Sequence, residues 1–338
     1  MTLTLRITFK RTSDKFKEST MGFQLILRTA RTKIKLLKFS HINARNLSTS
    51  SGRVEVYQLR SRGIVKVKGS DAVPFLQGLI TNDVSLLGVD GKAQYSMLLN
   101  VQGRVLYDLF LYDVSESHVD RTILMDCDRS LLKKVMSDIS RYKIRKKVTL
   151  EDASEKLNVF TTLNGDHVDG GLVATADPRV PSFGSRVIAE GVPDSWCVVS
   201  DETGYHEKRL QWGIPEGPLD IPHGVALPLE SNLVYMNGVN FSKGCYLGQE
   251  LTARTHHTGV TRKRLMPLIF DGNPDAIESG QNIQNDQNKS VGKFRSVVGQ
   301  YGLGLMRVKE ISGDLTVTSK SGKVISVRAE QPAWWPVE

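Results

Sequence analysis

The residue best suited to chemistry is Cys245, which stands in the segment KGCYLGQE between a Lys-Gly pair and a run that can begin a helix. A thiol at a helix N-terminus beside an ammonium group is biased toward the thiolate, because the unpaired amides and the positive charge both stabilise the anion. The thiolate is the form that attacks electrophiles and binds iron. The pattern therefore predicts a nucleophile or a metal ligand at Cys245, with a buried free cysteine in a turn as the alternative interpretation.

The residues next to Cys245 are of types that can hold a reactive thiol in position. Gly244 lets the backbone approach a partner closely. Gln249 and Glu250 can fix the loop through hydrogen bonds. The segment is thus predicted to be a rigid support for one accessible sulfur.

Other metal-binding residue types are present, but their placement favours structural roles. His256 and His257 can bind metal, yet adjacent imidazoles rarely point at one centre, so the end of a helix is the preferred interpretation. Cys127 and Cys197 lie in strand-like surroundings and are assigned no chemical role. The three cysteines are far apart without a CxxC pair, which argues against a disulfide framework and a self-contained zinc or cluster site. Any metal held here needs ligands from outside.

The positive charge of the chain is concentrated at its N-terminus. Residues 1–51 contain eleven Lys and Arg residues but only two acids, which leaves 34 residues of each sign in the remainder. Nucleic-acid binding, which the net charge of +9 would favour, is therefore not expected of the main body. No apolar run approaches the roughly 20 residues that span a bilayer.

The basic, acid-poor and Ser/Thr-rich N-terminus has the composition of a mitochondrial import peptide. A helix from Met21 onward would carry interspersed cations, and Arg45 stands three residues before Ser48, as in sites cut by matrix peptidases. We expect a cleaved targeting peptide at residues 1–47, and a location in the mitochondrial matrix. A disordered basic tail that binds anionic surfaces is the alternative, and either Met1 or Met21 can be the start.

The elements that must position Cys245 follow the pattern of an α+β protein. Alternating residues predict a strand at Gly63–Lys68, and Ser70 or Asp71 can cap the helix that follows. Gln94 to Tyr112 reads as a hairpin around a Gln-Gly turn. Ser130 to Tyr142 is an amphipathic helix.

The second half of the chain continues with alternating strands and helices, and then becomes mostly strand and turn. Strands are predicted at 148–150, at 157–163 and from Trp196, and a helix over Thr203–Gly213. From about Leu265 to Pro332 the chain is mostly strand and turn with regular glycines, which is typical of a small β-barrel or sandwich. Two α+β units and a C-terminal β domain are therefore expected.

The KGCYLGQE segment resembles the signature of the YgfZ-type folate-binding proteins, which are related to the aminomethyltransferase of glycine cleavage. The longer stretch around it resembles the mitochondrial member that assists iron–sulfur cluster assembly. Three further stretches agree in the same order: GSDAVPFLQGLITNDV (69–84), LLNVQGRVLYDL (98–109) and RYKIRKKVTLED (141–152). The resemblance extends over most of the chain that follows the leader.

The resemblance implies a fold and a domain layout. It implies an aminomethyltransferase-like fold, with two α+β units around a central cavity at residues 53–265 and a C-terminal β-barrel at 266–338. In the family the cysteine of KGCY is the functional residue, which assigns Cys245 as the central site residue. The remaining motif residues are its predicted support: Lys243, Gly244, Tyr246, Gly248, Gln249 and Glu250.

The resemblance also implies a function that is more an assembly role than an enzymatic one. Similar proteins act late in mitochondrial cluster assembly with A-type scaffold proteins, helping to convert 2Fe–2S units into 4Fe–4S clusters. One thiolate cannot complete the ligand shell of a cluster. Cys245 is therefore expected to supply a transient ligand to a 2Fe–2S cluster shared with the scaffold, or to act as a redox thiol during transfer.

The alternative is a tetrahydrofolate-dependent one-carbon (aminomethyl) transferase. By resemblance Asn82, Asp83 and Asp108 would line a folate cavity. The transferases carry paired aspartates where this chain has Tyr107-Asp108, so one acidic position is replaced and a folate pocket could survive without transfer chemistry. The cations at 262–264 could receive folate's glutamate tail or an acidic scaffold surface, with a solvated charge run as the simpler interpretation.

Overall fold

A computed structural model of the chain describes residues 53–88, 93–117, 119–165, 168–272, 274 and 277–336. The predicted targeting peptide at 1–47 lies outside these residues. Among the described residues, no helix combines the length and apolar character needed to cross a membrane.

The first unit is a five-stranded antiparallel sheet in the order β3-β4-β5-β2-β6. Its strands are β2 (Arg62–Gly69), β3 (Ala93–Leu99), β4 (Val105–Asp113), β5 (Arg121–Asp128) and β6 (Thr149–Asp152). The helices of this unit are α1 (Ala72–Gln77) and α2 (Leu132–Ser140). The predicted strand after the leader, the hairpin around Gly103 and the amphipathic helix are all present.

Helix α2 buries Leu132, Val135 and Ile139, whose spacing places them on one face of the helix. They join one hydrophobic cluster with residues of α1 and with the sheet. Asp71 occupies the N-cap position of α1, but its carboxylate accepts from the amide of Lys147 rather than from its own helix. The predicted cap is thus at the right residue and serves a different segment.

The second unit is a five-stranded sheet in the order β10-β1-β7-β9-β8. Strand β1 is the second strand from one edge of this sheet, parallel to β10 and antiparallel to β7. The strands are β1 (Val54–Gln58), β7 (Asn158–Thr161), β8 (Val173–Ala176), β9 (Ser185–Ala189) and β10 (Trp196–Val199). They are followed by the helices α3 (Thr203–Gln211) and α4 (Gly217–Asp220).

After helix α5 (Gln249–Thr258), the chain forms a closed six-stranded barrel in the order β11-β14-β13-β12-β15-β16. Its strands are β11 (Lys263–Asp271), β12 (Asn282–Gln284), β13 (Ser290–Val298), β14 (Tyr301–Arg307), β15 (Leu315–Thr318) and β16 (Val324–Ala329). Alternate residues of β16 point inward and outward, as expected for a barrel wall. The predicted C-terminal β-barrel is therefore present, and the α+β fold class is confirmed.

One hydrophobic cluster joins all three parts of the described chain. It contains Met97 of the first sheet, Ile188 of the second sheet and Leu303 of the barrel. The indole Nε1 of Trp334 also donates to the carbonyl oxygen of Trp212 over 2.7 Å, which ties the C-terminal segment to the end of α3. The Cys245 loop is consequently supported by a continuous core.

Candidate functional site

The loop before α5 carries the thiol at the surface. Cys245 is exposed, whereas Cys127 is buried and Cys197 is partly buried. A Cβ placed on Gly244 would meet no atom within 4 Å, so the backbone beside the thiol borders open space. The arrangement meets the requirement that the sulfur be reachable by another molecule.

Lys243 ties this loop to the segment that follows α1. Its Nζ donates hydrogen bonds to the carbonyl oxygens of Ile80 (2.8 Å) and Asn82 (2.6 Å). Burial lowers the pKa of Lys243 to about 8, while the negative charge of Asp83 opposes that shift. The same Nζ lies 5.2 Å from the ring centroid of Tyr246. The ammonium group therefore has an anchoring role.

Asn82 braces the receiving end of this anchor. Its Nδ2 donates to the carbonyl oxygens of Tyr95 (2.9 Å) and Asn237 (2.8 Å). The amide side chain thus bridges β3 and the turn that leads into the Cys245 loop. Its hydrogen-bonding groups serve the loop rather than a ligand.

Asp83 stabilises the turn beneath Asn82. Its carboxylate accepts hydrogen bonds from the amide of Ser85 (3.0 Å) and from Nε2 of Gln77 (2.9 Å). Partial burial tends to raise the pKa of Asp83, but these bonds and the charge of Lys243 outweigh it and lower the pKa. Asn82 and Asp83 thus both contribute to the support of the Cys245 loop, and the expectation that they line a folate cavity with Asp108 stays a prediction.

The C-terminal side of the Cys245 loop is fixed by residues of the KGCYLGQE segment itself. Oε1 of Gln249 accepts a hydrogen bond from the amide of Tyr246 over 3.0 Å, as expected of a residue that fixes the loop. The amide of Leu247 donates to the carbonyl oxygen of Gly78 over 3.0 Å. Tyr246 is buried, and burial raises its pKa to about 12. The buried ring of Tyr246 therefore anchors the loop directly after Cys245.

Gly248 and Gly103 bring the two most distinctive sequence motifs into contact. Gly248 has a φ of 74°, and a Cβ there would press on the carbonyl oxygen of Asn100 and on Leu99. A Cβ on Gly103 would lie 2.9 Å from Cβ of Leu251 and 3.0 Å from the carbonyl oxygen of Gly248. The hairpin turn and the cysteine loop approach each other at distances that only glycine permits.

Two predictions about the motif are wrong. Helix α5 begins at Gln249 with Gly248 as its N-cap, so Cys245 is three residues ahead of the N-cap rather than at the helix N-terminus. The left-handed backbone of Gly248 separates the loop from the helix. The side chain of Glu250 is 90% exposed, and among the described residues its ion-pair partner is Arg254 over 3.8 Å, on its own helix, so this contact does not fix the loop.

His256 and His257 lie at the end of α5, as the preferred interpretation held. The ring of Phe241 stacks on His256 with centroids 3.7 Å apart and an interplanar angle of 6°. Partial burial and the neighbouring His257 lower the pKa of His256. Phe241 was not predicted from the sequence, because an isolated aromatic residue in a loop carries no periodic signal. The stack links the beginning of the Cys245 loop to the end of α5.

The described residues contain no group of three or more His, Cys, Asp and Glu side chains able to hold a metal ion. Cys245 therefore stands without the companions that a resident metal centre needs. It can contribute one ligand to a metal or cluster whose remaining ligands come from another molecule.

Asp108 belongs to a separate, buried network of charges. Its carboxylate accepts from the amide of Gly217 over 3.2 Å, and its Oδ2 lies 3.6 Å from Nη1 of Arg62. Burial raises the pKa of Asp108, against the opposing charge of Arg62. Three guanidinium groups and four carboxylates meet here, a set that sequence patterns did not reveal: Arg62, Arg179, Arg186, Asp108, Asp126, Asp177 and Glu216.

Tyr107 and Asp108 point to opposite faces of the first sheet. The hydroxyl of Tyr107 donates to Asp138 of α2 over 2.6 Å, while Asp108 faces the charge network. The replacement of the family's other aspartate thus removes an acid from the helix-covered face.

Asp108, one of the residues predicted for folate, is not open to that cofactor in this arrangement. Asp108 is 5% exposed, and Arg186 lies with its guanidinium carbon 3.7 Å from the ring centroid of Phe110. Oδ2 of Asp108, Nη1 of Arg62 and the hydroxyl of Tyr95 find no hydrogen-bond partner within the described part of the chain, but all three side chains are buried. A pterin ring could reach these atoms only if the surrounding ion pairs separated.

The cations at 262–264 do not form one cluster. Arg262 is exposed and Lys263 is half-buried at the start of β11. Arg264 instead packs over the ring of Tyr235 at 3.9 Å and donates to the carbonyl oxygen of Leu229 over 3.1 Å. Alternation along β11 places Arg264 on the opposite face from Lys263.

Two family models match the chain. One describes the N-terminal domain of the glycine-cleavage T protein and matches residues 36–167. The other describes the C-terminal β-barrel domain of CAF17 and matches residues 262–337. The chain is also similar in structure to the glycine cleavage system aminomethyltransferase T from Bartonella henselae, with a TM-score of 0.64. That match has 14% identity and covers 83% of this chain and 86% of the bacterial one, so it supports the fold alone.

Relatives that match most of the chain are more similar in sequence than this structural neighbour. The mitochondrial iron–sulfur cluster assembly factor IBA57 of Mus musculus is 41% identical over 307 residues, covering 83% of this chain and 85% of the mouse protein. The protein of the same name from Homo sapiens is 39% identical over 305 residues, with the same coverage of both chains. These names confirm the predicted mitochondrial location and are consistent with the mitochondrial matrix. The chain belongs to the family of the mitochondrial iron–sulfur cluster assembly factor IBA57.

Proposed function

We propose that this protein is an iron–sulfur cluster assembly factor that helps A-type scaffold proteins to mature 4Fe–4S clusters, with the Cys245 thiolate as its working group. The observation that carries the proposal is an exposed thiol on a loop fixed at both ends. The names of the mammalian relatives support the coarser statement, since both are called iron–sulfur cluster assembly factors.

The chemistry of the loop suits transient ligation. In a 2Fe–2S cluster each iron keeps two bridging sulfides and takes two protein ligands. Cys245 provides one thiolate, and the described residues offer no group of three further ligand types around it. The partner must therefore bring the other ligands, so the cluster is cargo held between two proteins rather than a resident group.

A fixed loop favours such shared ligation. Lys243 and Gln249 hold the backbone on either side of Cys245 through hydrogen bonds of 2.6–3.0 Å. Because the loop is ordered before the partner arrives, little conformational entropy is lost on binding. Exposure of the thiol leaves its sulfur free to enter the ligand shell of a cluster on another surface.

Folate-dependent one-carbon transfer is not supported by a specific observation. The transferase would need an accessible carboxylate, and Asp108 is buried behind Arg62. We derive no step of the proposed function from folate.

Replacement of Cys245 in cells that lack their own copy of the protein tests the assignment. We expect Cys245→Ser to leave aconitase activity and protein lipoylation at the level of the empty cells, because both depend on 4Fe–4S enzymes. Cys197→Ser, which also removes one thiol, should restore both. Normal aconitase activity and lipoylation with Cys245→Ser, at equal protein level, would contradict the proposal.

A further inference from the structure

A groove of about 260 Å³ lies on one side of α5, between the helix and the segment that leads into the barrel. Its walls come from residues 227–230, from the helix and from residues 260–263. The apolar part of the lining is Leu227, Pro228, Leu229, Leu251 and Val260. The volume is below that of small-molecule sites, which commonly measure about 300–1,000 Å³.

The rim of the groove is positively charged. Arg262 and Lys263 line it, and neither forms an ion pair with another described residue. The lining contains one carboxylate, Glu230. An occupant that carries negative charge beside an apolar group would thus be attracted, since unpaired surface cations steer acidic partners.

Exposed apolar residues continue this surface toward the Cys245 loop. Val260 on the rim is 76% exposed, and Val101 in the hairpin turn is 72% exposed. The turn that carries Val101 packs through Gly103 against Leu251, which is part of the groove wall. Leu251 in turn lies on the first turn of the helix that the cysteine loop leads into.

Val225 is a further exposed apolar residue beside the hairpin turn. It is 61% exposed, and its carbonyl oxygen accepts a hydrogen bond of 3.0 Å from Nη1 of Arg104 in the same hairpin turn. Exposed apolar residues gathered beside charged ones are typical of interaction sites.

We propose that this groove receives an apolar side chain flanked by carboxylates from the cluster-carrying protein that shares the cluster with Cys245. The inference rests on the proposed function and adds a second contact to it. A single metal–thiolate bond does not distinguish one cluster carrier from another, whereas a filled apolar groove with a charged rim selects by shape and charge. Docking there presents the partner's cluster to the adjacent loop.

Titration of the mature chain with an A-type scaffold protein free of cluster tests the groove directly. We expect Val260→Asp and the double variant Arg262→Glu/Lys263→Glu each to raise Kd by at least about tenfold. The matched controls are Val324→Asp and Lys323→Glu, beside the end of β11 opposite to Lys263, where Val324 is 61% exposed. The controls should bind within about twofold of the unaltered chain, and binding should weaken with added salt.

The Cys245→Ser variant separates this inference from the proposed function. It should bind the cluster-free scaffold normally and fail to form the shared cluster absorption. Unchanged Kd in all groove variants, with cluster formation still dependent on Cys245, would overturn the groove and leave the proposed function intact. Absence of both binding and cluster formation with the unaltered chain would overturn both.

A second copy of this chain is the remaining possible occupant of the groove to test. Sedimentation of the mature chain alone should give a monomer for the unaltered protein and for Val260→Asp. A dimer that Val260→Asp dissociates would assign the groove to a second copy and overturn the proposal.

Discussion

At the scale of single residues, two buried carboxylates in one network behave in opposite ways. Glu216 accepts from Arg179 (3.0 Å), Arg186 (3.2 Å) and the hydroxyl of Tyr205 (2.8 Å). Burial alone would raise the pKa of Glu216, but the surrounding guanidinium groups lower it well below its ordinary value. The pKa of Asp108 is raised by burial, because Arg62 compensates it only partly.

The two pKa directions follow the number of charges in the network. Four carboxylates face three guanidinium groups, so one carboxylate is in excess of the cations, and Asp108 is the one whose pKa is raised. Isolated charges are costly to bury, and an equal number of opposite charges avoids that cost. The network is thus a structural core element in which Asp108 is the carboxylate that the protein least needs to keep ionised.

Removal of each carboxylate should therefore have unequal effects. We expect Glu216→Gln to lower the free energy of unfolding by about 3 kcal/mol at pH 7, because it leaves buried cations without their shared partner. Asp108→Asn should stay within about 1 kcal/mol of the unaltered protein, since Arg62 keeps Asp126 at 2.6 Å. Urea unfolding measures both, and a larger loss for Asp108→Asn than for Glu216→Gln would contradict this interpretation.

The pH dependence of these two variants has opposite signs. The folded pKa of Glu216 is lowered, so its stabilisation is present above its ordinary value of 4.5 and is lost as the pH falls through the folded value. The folded pKa of Asp108 is raised, so its stabilisation is present below 3.8 and is lost as the pH rises through the folded value. The cost of Glu216→Gln should consequently shrink as the pH is lowered below 4.5.

At the scale of elements, the site is built where three separated segments meet. The hairpin turn at Gly103 packs on Gly248, and Lys243 reaches the segment after α1. The geometry of the thiol thus depends on backbone contacts that no single segment contains. Substitutions in the hairpin turn should therefore alter the conformation of the cysteine loop.

Two glycines of the same motif allow a matched comparison. We expect Gly248→Ala to lower the free energy of unfolding by at least about 2 kcal/mol, because it adds a left-handed penalty of about 1–2 kcal/mol to a close contact with β3. Gly244→Ala should change it by less than about 1 kcal/mol, since its Cβ meets open space. Chemical unfolding of both variants checks this, and equal losses would argue against the close approach.

The sequence was informative about elements and less so about tertiary contacts. Alternation and helical periodicity predicted the strand after the leader, the hairpin, α2 and the C-terminal barrel, because each signal is local. The role of Lys243 was not predictable, since its partners are backbone carbonyl groups some 160 positions earlier. The start of α5 was misplaced because the conformation of Gly248 depends on its contact with β3, which a local pattern does not contain.

The same limit applies to the charge network. Its members are scattered from Arg62 to Glu216, and each alone resembles an ordinary surface charge. They meet where the two sheets pack together, as Arg186 of the second sheet shows by contacting Asp126 of the first. The folate interpretation of Asp108 therefore could not be judged before the burial of its neighbours was known.

At the scale of the whole molecule, the described chain is a scaffold that presents one thiol. A single hydrophobic cluster joins both sheets and the barrel, so the exposed loop stands on a continuous support. The described residues provide no complete metal site. The proposed function accordingly belongs to a complex of two proteins, in which the ligand shell is completed across the interface.

The most direct test of this central claim is native mass spectrometry of the mature chain mixed with an A-type scaffold and a 2Fe–2S donor. We predict a one-to-one complex whose mass exceeds that of the two proteins by two irons and two sulfides. Cys245→Ser should abolish that added mass, and Cys197→Ser should retain it. A cluster-bearing complex of the same mass with Cys245→Ser would contradict shared ligation.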